Sequence, residues 1–113
     1  MRIRRENDNF EEEDIIFIAN VSDALAHPVR LHLFRHIMQC NKSFENVCNK
    51  DLVAEFDYAQ ATISQHMKKL IQSGLIDTKK ENKFTYYYAN IGILMKYLTL
   101  TKKYSIVEPF KKN

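Results

Sequence analysis

Residues 57–76, DYAQATISQHMKKLIQSGLI, contain the pattern that decides the fold. Asp57 followed three residues later by Gln60 forms a capping-box pattern, and Gly74 supplies the left-handed residue that commonly ends a helix. The segment therefore predicts a helix over about residues 58–73. Apolar residues recur at the spacing of one helix face, with polar side chains around the rest of the helix: Ile63, Met67, Leu70 and Ile71.

The N-terminal half of this predicted helix carries side chains suited to contact double-stranded DNA. Hydroxyl groups such as those of Thr62 and Ser64 suit phosphates, and the amides of Gln60 and Gln65 match the donor and acceptor of adenine. A solvated polar face is the alternative, and a histidine at His66 can instead pack or hydrogen-bond within the fold. The candidate DNA-contacting residues are Gln60, Thr62, Ser64, Gln65, His66 and Lys68.

Two apolar stripes precede this segment. The first begins at Phe10 and predicts a helix whose acidic residues 11–14 lie where the helix dipole favours anions. Pro28 disfavours helix at His27 and fits the first turn of a second helix, predicted to extend to about Cys40. The first stripe contains Ile15, Ile16, Ile18, Ala19, Ser22 and Leu25, and the second contains Leu33, Phe34, Ile37 and Met38.

A short third helix is predicted before the central one. Residues 41–49 lack periodicity and predict a loop, and residues 50–56 follow as a helix with Leu52, Val53 and Phe56 pointing inward. A short helix, a turn at Asp57 and a longer polar-faced helix together predict a helix-turn-helix.

A basic hairpin is predicted after Gly74. Residues 75–80 and 83–89 have the period of strands, and Glu81 and Asn82 form the turn, because asparagine tolerates positive φ. Alternation puts Tyr86 and Tyr88 on one face and Tyr87 on the other, which favours a core role for part of this run over base stacking. Three lysines cluster where a wing would meet the DNA backbone: Lys79, Lys80 and Lys83.

A last helix, capped by Asn90, has few polar residues. Its apolar face, like that of the first helix, is larger than one small domain needs, so a second copy of the chain is the expected cover. The face contains Ile91, Leu94, Met95 and Leu98.

Length and composition indicate one small domain. The chain has 113 residues, of which 45% are hydrophobic, with 17 Lys and Arg against 14 Asp and Glu. We expect a flexible arm over residues 1–9, a winged-helix domain over residues 10–103 and a tail over residues 104–113. Two cysteines, no signal-peptide pattern and no apolar run long enough to span a bilayer predict a cytoplasmic protein with reduced thiols and no membrane partner.

The order of these elements resembles the winged-helix repressors of the ArsR/SmtB family. The resemblance covers residues 24–98 and rests on ALAHPVRLHLFRHIM in the second helix, AQATISQHMKKL in the central helix and SGLIDTKKENKFTYYYAN in the hairpin. It implies a mostly α fold with a small β-hairpin. It further implies a homodimer built from the first and last helices, which binds a palindromic operator and represses transcription.

The metal sites of the family are not implied for this chain. Cys48 keeps the first position of the Cys-x-Cys pair near the third helix, but Lys50 stands at the second, and residues 90–101 contain no Asp, His or Glu. No cofactor is predicted. Other candidate metal donors are His32, His36, Cys40 and Cys48, although the first three extend too far along one helix for a single ion to bind them all. Beside metal binding, a second hypothesis is that a reversible disulfide between Cys40 and Cys48 acts as a redox sensor.

Catalysis is not expected, because the sequence has no Ser/His/Asp, paired-carboxylate or phosphate-loop arrangement. The sequence predicts a sequence-specific DNA-binding transcriptional regulator, and a winged-helix protein-interaction module is the alternative. The operator sequence and the inducer are not specified by these patterns.

Overall fold

The computed structural model describes residues 11–107 and 109, and it contains five helices and one antiparallel hairpin in the predicted order. The predicted fold class is confirmed: a mostly α, winged helix-turn-helix arrangement. The prediction of an arm over residues 1–9 lies outside the described residues. The elements are α1 Glu12–Leu25, α2 Pro28–Lys42, α3 Asn49–Phe56, α4 Gln60–Gln72, β1 Ile76–Glu81, β2 Phe84–Ala89 and α5 Ile91–Ser105.

One core joins α1 to α4 with the start of the hairpin. The predicted inner face of α4 is confirmed at Ile63, Met67 and Leu70, which are fully buried, whereas Ile71 is 38% exposed and lies at the edge of that face. In α1 the buried residues are Val21 and Ala24, each one position in sequence before a residue of the predicted stripe. The largest fully buried side chains are Leu33, Ile37, Leu52, Ile63, Met67, Leu70, Leu75 and Ile76.

The turn between α3 and α4 corrects the predicted role of Asp57. This residue is the C-cap of α3, with φ 54° and ψ 38°, and its N–H donates to Val53 O at 3.1 Å. The N-cap of α4 is Ala59, and no side chain accepts a capping hydrogen bond there. Here a left-handed residue ends the first helix of the helix-turn-helix, and aspartate is one of the few non-glycine residues that tolerate this conformation. The recognition helix consequently starts at Gln60 rather than Tyr58.

The predicted loop before α3 is shorter in the structure. Helix α2 continues to Lys42 and ends with Phe44 in the left-handed region at φ 60°. The N–H of Glu45 donates to Cys40 O at 2.8 Å and that of Phe44 to Asn41 O at 3.0 Å, which is the hydrogen-bond pattern of a Schellman motif. Helix α3 begins with a capping box in which Asp51 accepts from the N–H of Cys48 at 3.0 Å.

The hairpin is fastened to the helical body along the outer edge of β2. Its strands pair from Ile76 with Ala89 to Glu81 with Phe84, and Asn82 takes the expected positive φ, 57°. The turn is Asn82 and Lys83, one residue later than predicted. On the outer edge, the N–H of Tyr87 donates to Val47 O at 2.8 Å. Tyr87 is only 8% exposed, which confirms that part of the tyrosine run belongs to the core.

Helix α5 lies on the outside of the described structure. Its predicted cap is confirmed, because Asn90 Oδ1 accepts from the N–H of Ile93 at 3.0 Å. None of the residues of α5 is buried, and it ends at Ser105, two residues beyond the domain boundary expected at residue 103. No helix in the described part of the chain is long and apolar enough to cross a lipid bilayer.

Candidate nucleic-acid interface

The N-terminal part of α4 presents a polar face to solvent. Burial of Ile63, Met67 and Leu70 fixes the rotation of the helix, because side chains on the opposite side must then point outward. The first turns contain no acidic residue. Five of the six predicted DNA-contacting residues are exposed there: Gln60, Thr62, Ser64, Gln65 and Lys68.

One of these exposed residues is held by the neighbouring helix. Ser64 Oγ accepts a hydrogen bond from Asn49 Nδ2 at 3.1 Å, and Asn49 Oδ1 accepts one from Tyr87 Oη at 3.3 Å. These contacts connect α4, α3 and β2. Asn49 was not identified from the sequence, because it lies in a stretch whose composition predicts a loop.

His66, the sixth candidate, is turned toward the protein. Its Nδ1 lies 3.5 Å from Arg30 Nη1, and its ring centroid lies 4.6 Å from that of His27. Burial lowers the pKa of His66 below its usual value, and the neighbouring His27 and Arg30 lower it further. Of the six side chains, His66 is therefore the one that is not exposed, whereas Ser64 is exposed although Asn49 holds it.

Arg30 is a structural residue whose role the sequence pattern does not reveal. Its guanidinium donates to Ala24 O at 2.7 Å and to Asp23 O at 3.1 Å, which ties the end of α1 to α2. The same side chain contacts His66, 36 residues away in sequence, so it links α1, α2 and the recognition helix. Only its place after His27 and Pro28, within the segment that resembles the family, distinguished it in the sequence.

The predicted wing lysines are exposed near the hairpin turn. Lys79 Nζ lies 3.5 Å from Glu81 Oε1, a solvent-exposed ion pair of small energetic value. Within residues 11–107, no ion pair involves Lys80 or Lys83, so their charges face solvent and are available to an anion.

The candidate metal donors do not converge. Cys40 Sγ lies 3.5 Å from His36 Nε2, whereas His32 faces an apolar groove of about 470 Å³ lined by Leu25, Phe34 and Leu94. Among the described residues, no group of three His, Cys, Asp or Glu side chains has the arrangement to hold a metal ion.

The two thiols are free and differ in their surroundings. Cys48 is buried at the start of α3, where its Sγ donates to Asp51 Oδ2 at 3.3 Å. Burial raises the pKa of the Cys40 thiol, and the carboxylates of Glu45 and Glu55 raise it further. A raised pKa keeps Cys40 in the thiol form, which is the less reactive form toward oxidation.

Together, the fold and this polar face define a winged helix-turn-helix protein. Residues 41–78 match the helix-turn-helix model described as bacterial regulatory protein, arsR family. The chain is 38% identical over 48 residues to an arsenical resistance operon repressor of Staphylococcus aureus, a match covering 42% of this chain and 46% of the repressor. It is 29% identical over 73 residues to the repressor of the same name from Staphylococcus xylosus, covering 65% of each.

A solved structure supports the fold over a longer range. The ArsR-like transcriptional regulator from Rhodococcus sp. RHA1 superposes with a TM-score of 0.72 at 17% identity, covering 81% of this chain and 82% of that one. Over residues 41–78 the chain is thus similar to the ArsR family of bacterial regulatory proteins, and over most of its length it shares the fold of the Rhodococcus regulator. Its matches span less than two thirds of the length of either repressor.

Proposed function

We propose that this protein is a transcriptional repressor that binds double-stranded DNA sequence-specifically as a homodimer on a palindromic operator. The observation that carries the proposal is the outward polar face of α4, where Gln60, Thr62 and Gln65 are exposed beside a buried apolar face. The helix presents amide and hydroxyl groups without any carboxylate in its first turn, as contact with base edges and phosphates requires.

The hairpin supplies the second half of the proposed interface. Lys80 and Lys83 extend near its turn without an ion pair in the described structure, so they are available to phosphates. Phosphate contacts position a protein on DNA, whereas base contacts select the sequence. We therefore assign Lys80 to general affinity and Gln65 to sequence selection.

Two substitutions separate these roles. A DNA duplex is first selected with the wild-type protein from a random library, and affinities are then measured by fluorescence anisotropy over a series of salt concentrations. Lys80→Ala is expected to weaken binding to selected and random duplexes alike and to reduce the salt slope by about one. Gln65→Ala is expected to cost about 1–3 kcal/mol on the selected duplex alone.

Lys42→Ala is the matched control, since this lysine is exposed in the last turn of α2, outside α4, the hairpin and the proposed dimer face. It is expected to leave both affinities unchanged. Equal losses on selected and random DNA for Gln65→Ala would contradict its role in sequence selection. Failure of the wild type to enrich any duplex would refute the proposed function and favour the alternative, a winged-helix protein-interaction module.

A homodimer is supported by apolar surface on α1 and α5. Ile16 on α1 is about half exposed, and so are Ile91, Met95 and Leu98, which follow one face of α5 at i, i+4 and i+7. Contiguous apolar faces of this kind mark association surfaces. Pairing two copies through them would present two α4 helices to successive major grooves, about 34–36 Å apart.

Met95→Glu tests the homodimer directly. A charge at the centre of this face is expected to shift sedimentation from dimer to monomer, because an unpaired carboxylate is costly to bury. Gln39→Glu, at an exposed position on α2, is the control for added negative charge. A wild-type protein that sediments as a monomer at micromolar concentration would contradict the proposed dimer.

A further inference from the structure

A chain of side-chain hydrogen bonds runs from the wing to the recognition helix. Tyr87 Oη on β2 contacts Asn49 Oδ1 on α3 at 3.3 Å, and Asn49 Nδ2 contacts Ser64 Oγ on α4 at 3.1 Å. The three residues come from three different elements. They form a path, which we call the Tyr87–Asn49–Ser64 relay.

The buried end of the relay fixes the direction of its hydrogen bonds. Tyr87 is 8% exposed, and burial raises the pKa of its phenol, with the nearby Cys48 raising it further. The phenol therefore keeps its proton at neutral pH and must donate it, since a buried unsatisfied donor is costly. Asn49 accepts that proton through its carbonyl oxygen, and this turns the NH₂ group of Asn49 toward Ser64.

The exposed end of the relay is thereby left with a specific hydrogen-bonding capacity. A serine hydroxyl has one proton to donate and two lone pairs to accept with. Asn49 donates to Ser64 Oγ, so the proton of Ser64 is free to point away from the protein. Ser64 is exposed on the same face as Gln60 and Lys68.

We propose that Asn49 and Tyr87 are positioning residues which orient Ser64 as a hydrogen-bond donor toward an acceptor oxygen on DNA. The inference rests on the proposed function and specifies how one contact of that interface is prepared. The acceptor is a phosphate oxygen or a base carbonyl in the major groove, and both offer the same chemistry to a donor. Through these hydrogen bonds, a displacement of β2 would change the orientation of Ser64 on α4.

A double-mutant cycle distinguishes the relay from a general structural effect of the substitutions. The probe is a fluorescein-labelled duplex selected by the wild-type protein, and its affinity is measured for Ser64→Ala, Tyr87→Phe and the double variant. Loss of one hydrogen bond is expected to weaken binding about fivefold for Ser64→Ala, and about threefold for Tyr87→Phe, which disorders the donor. The double variant is expected to bind no more weakly than Ser64→Ala, because both changes remove the same contact.

Tyr88→Phe is the matched control on β2, since no hydrogen bond from its hydroxyl is present in the described structure. It is expected to leave affinity unchanged. Losses on selected and random duplexes alike would identify a phosphate as the acceptor, and a loss on the selected duplex alone would identify a base. Losses that multiply in the double variant, to about fifteenfold, would overturn the relay while leaving the proposed function intact.

The free protein gives an independent measurement. The side-chain amide signals of Asn49 in a ¹H–¹⁵N spectrum are expected to shift in both Tyr87→Phe and Ser64→Ala, because the amide loses a partner in each. They are expected to stay in place in Tyr88→Phe. If the wild type enriches no duplex, the proposed function fails and the DNA-facing role of Ser64 fails with it. Unmoved amide signals alongside tight DNA binding would overturn the relay alone.

Discussion

Replacing Asn41 with alanine should loosen the attachment of the wing to the helical body. Asn41 lies in the last turn of α2, and its side chain hydrogen-bonds two backbone groups on the outer edge of β2. Oδ1 accepts from the N–H of Ala89 at 2.8 Å, and Nδ2 donates to Tyr87 O at 3.4 Å. These partners are 48 and 46 residues away in sequence, so the contact closes the fold.

The expected cost is about 1.5 kcal/mol of unfolding free energy. A partly buried donor left without a partner costs about 1–3 kcal/mol. Most of the expected cost comes from the N–H of Ala89, because the other hydrogen bond, to Tyr87 O, is long and weak. Alanine is the better helix former by about 0.5 kcal/mol, which offsets part of the loss. With an unfolding entropy of about 2.1 cal/mol/K per residue, a chain of this size should lose about 6 °C in Tm.

The assay is thermal unfolding followed by circular dichroism at one fixed protein concentration, because association of copies would make Tm depend on concentration. Gln39→Ala is the control, since Gln39 is exposed on α2 and its replacement by alanine also brings a gain in helix propensity, although a smaller one. Asn41→Asp keeps an acceptor for Ala89 and should lose less than half as much as Asn41→Ala. A Tm for Asn41→Ala within about 1 °C of the control would refute the attachment.

Two further substitutions test local features of the fold. Phe44→Gly should raise the unfolding free energy by about 1 kcal/mol, because Phe44 is 97% exposed and is strained at φ 60°, a conformation that glycine adopts freely. Phe44→Ala, measured by the same unfolding assay, should bring no comparable gain. The pKa of His66 in the folded protein lies below its ordinary value of 6.5, so the unfolded chain binds the proton first as pH falls. The unfolding free energy should therefore decrease as pH drops below about 6.5, and it should level off once the folded pKa is passed. His66→Gln should flatten this dependence between pH 7.5 and 5 in urea titrations, and an unchanged slope would contradict the assignment.

Local patterns in the sequence predicted the elements well, for a physical reason. Burial on one side of a helix repeats every three to four residues, so the face formed by Ile63, Met67 and Leu70 is visible without any tertiary information. The hairpin was equally visible, because Asn82 has the positive φ that its turn requires. Asp57 was misassigned because aspartate suits both an N-cap and a left-handed C-cap, and the choice between them depends on how α3 packs against α4.

The parts of the candidate site that escaped prediction are long-range polar contacts. Arg30 meets His66 across 36 residues, and Tyr87 meets Asn49 across 38. No periodicity relates such positions, since each contact depends on how two separate elements pack. The sequence therefore predicted which residues of α4 face outward, apart from His66, but not which of them the rest of the protein holds in place.

The last helix shows how the proposed assembly and the stability of the fold depend on each other. An isolated helix of about 15 residues is marginal in water, so α5 needs tertiary contacts to form. Within one chain it is held on one side, by half-buried Ile93, Leu94 and Tyr97, with Tyr97 Oη 2.8 Å from Ser22 Oγ on α1. The opposite side, with Ile91, Met95 and Leu98, is about half exposed. Covering that side with a second copy would stabilise α5 and pair the recognition helices in the same step. The folded fraction of α5, the dimer fraction and the occupancy of the operator should therefore all rise together with protein concentration.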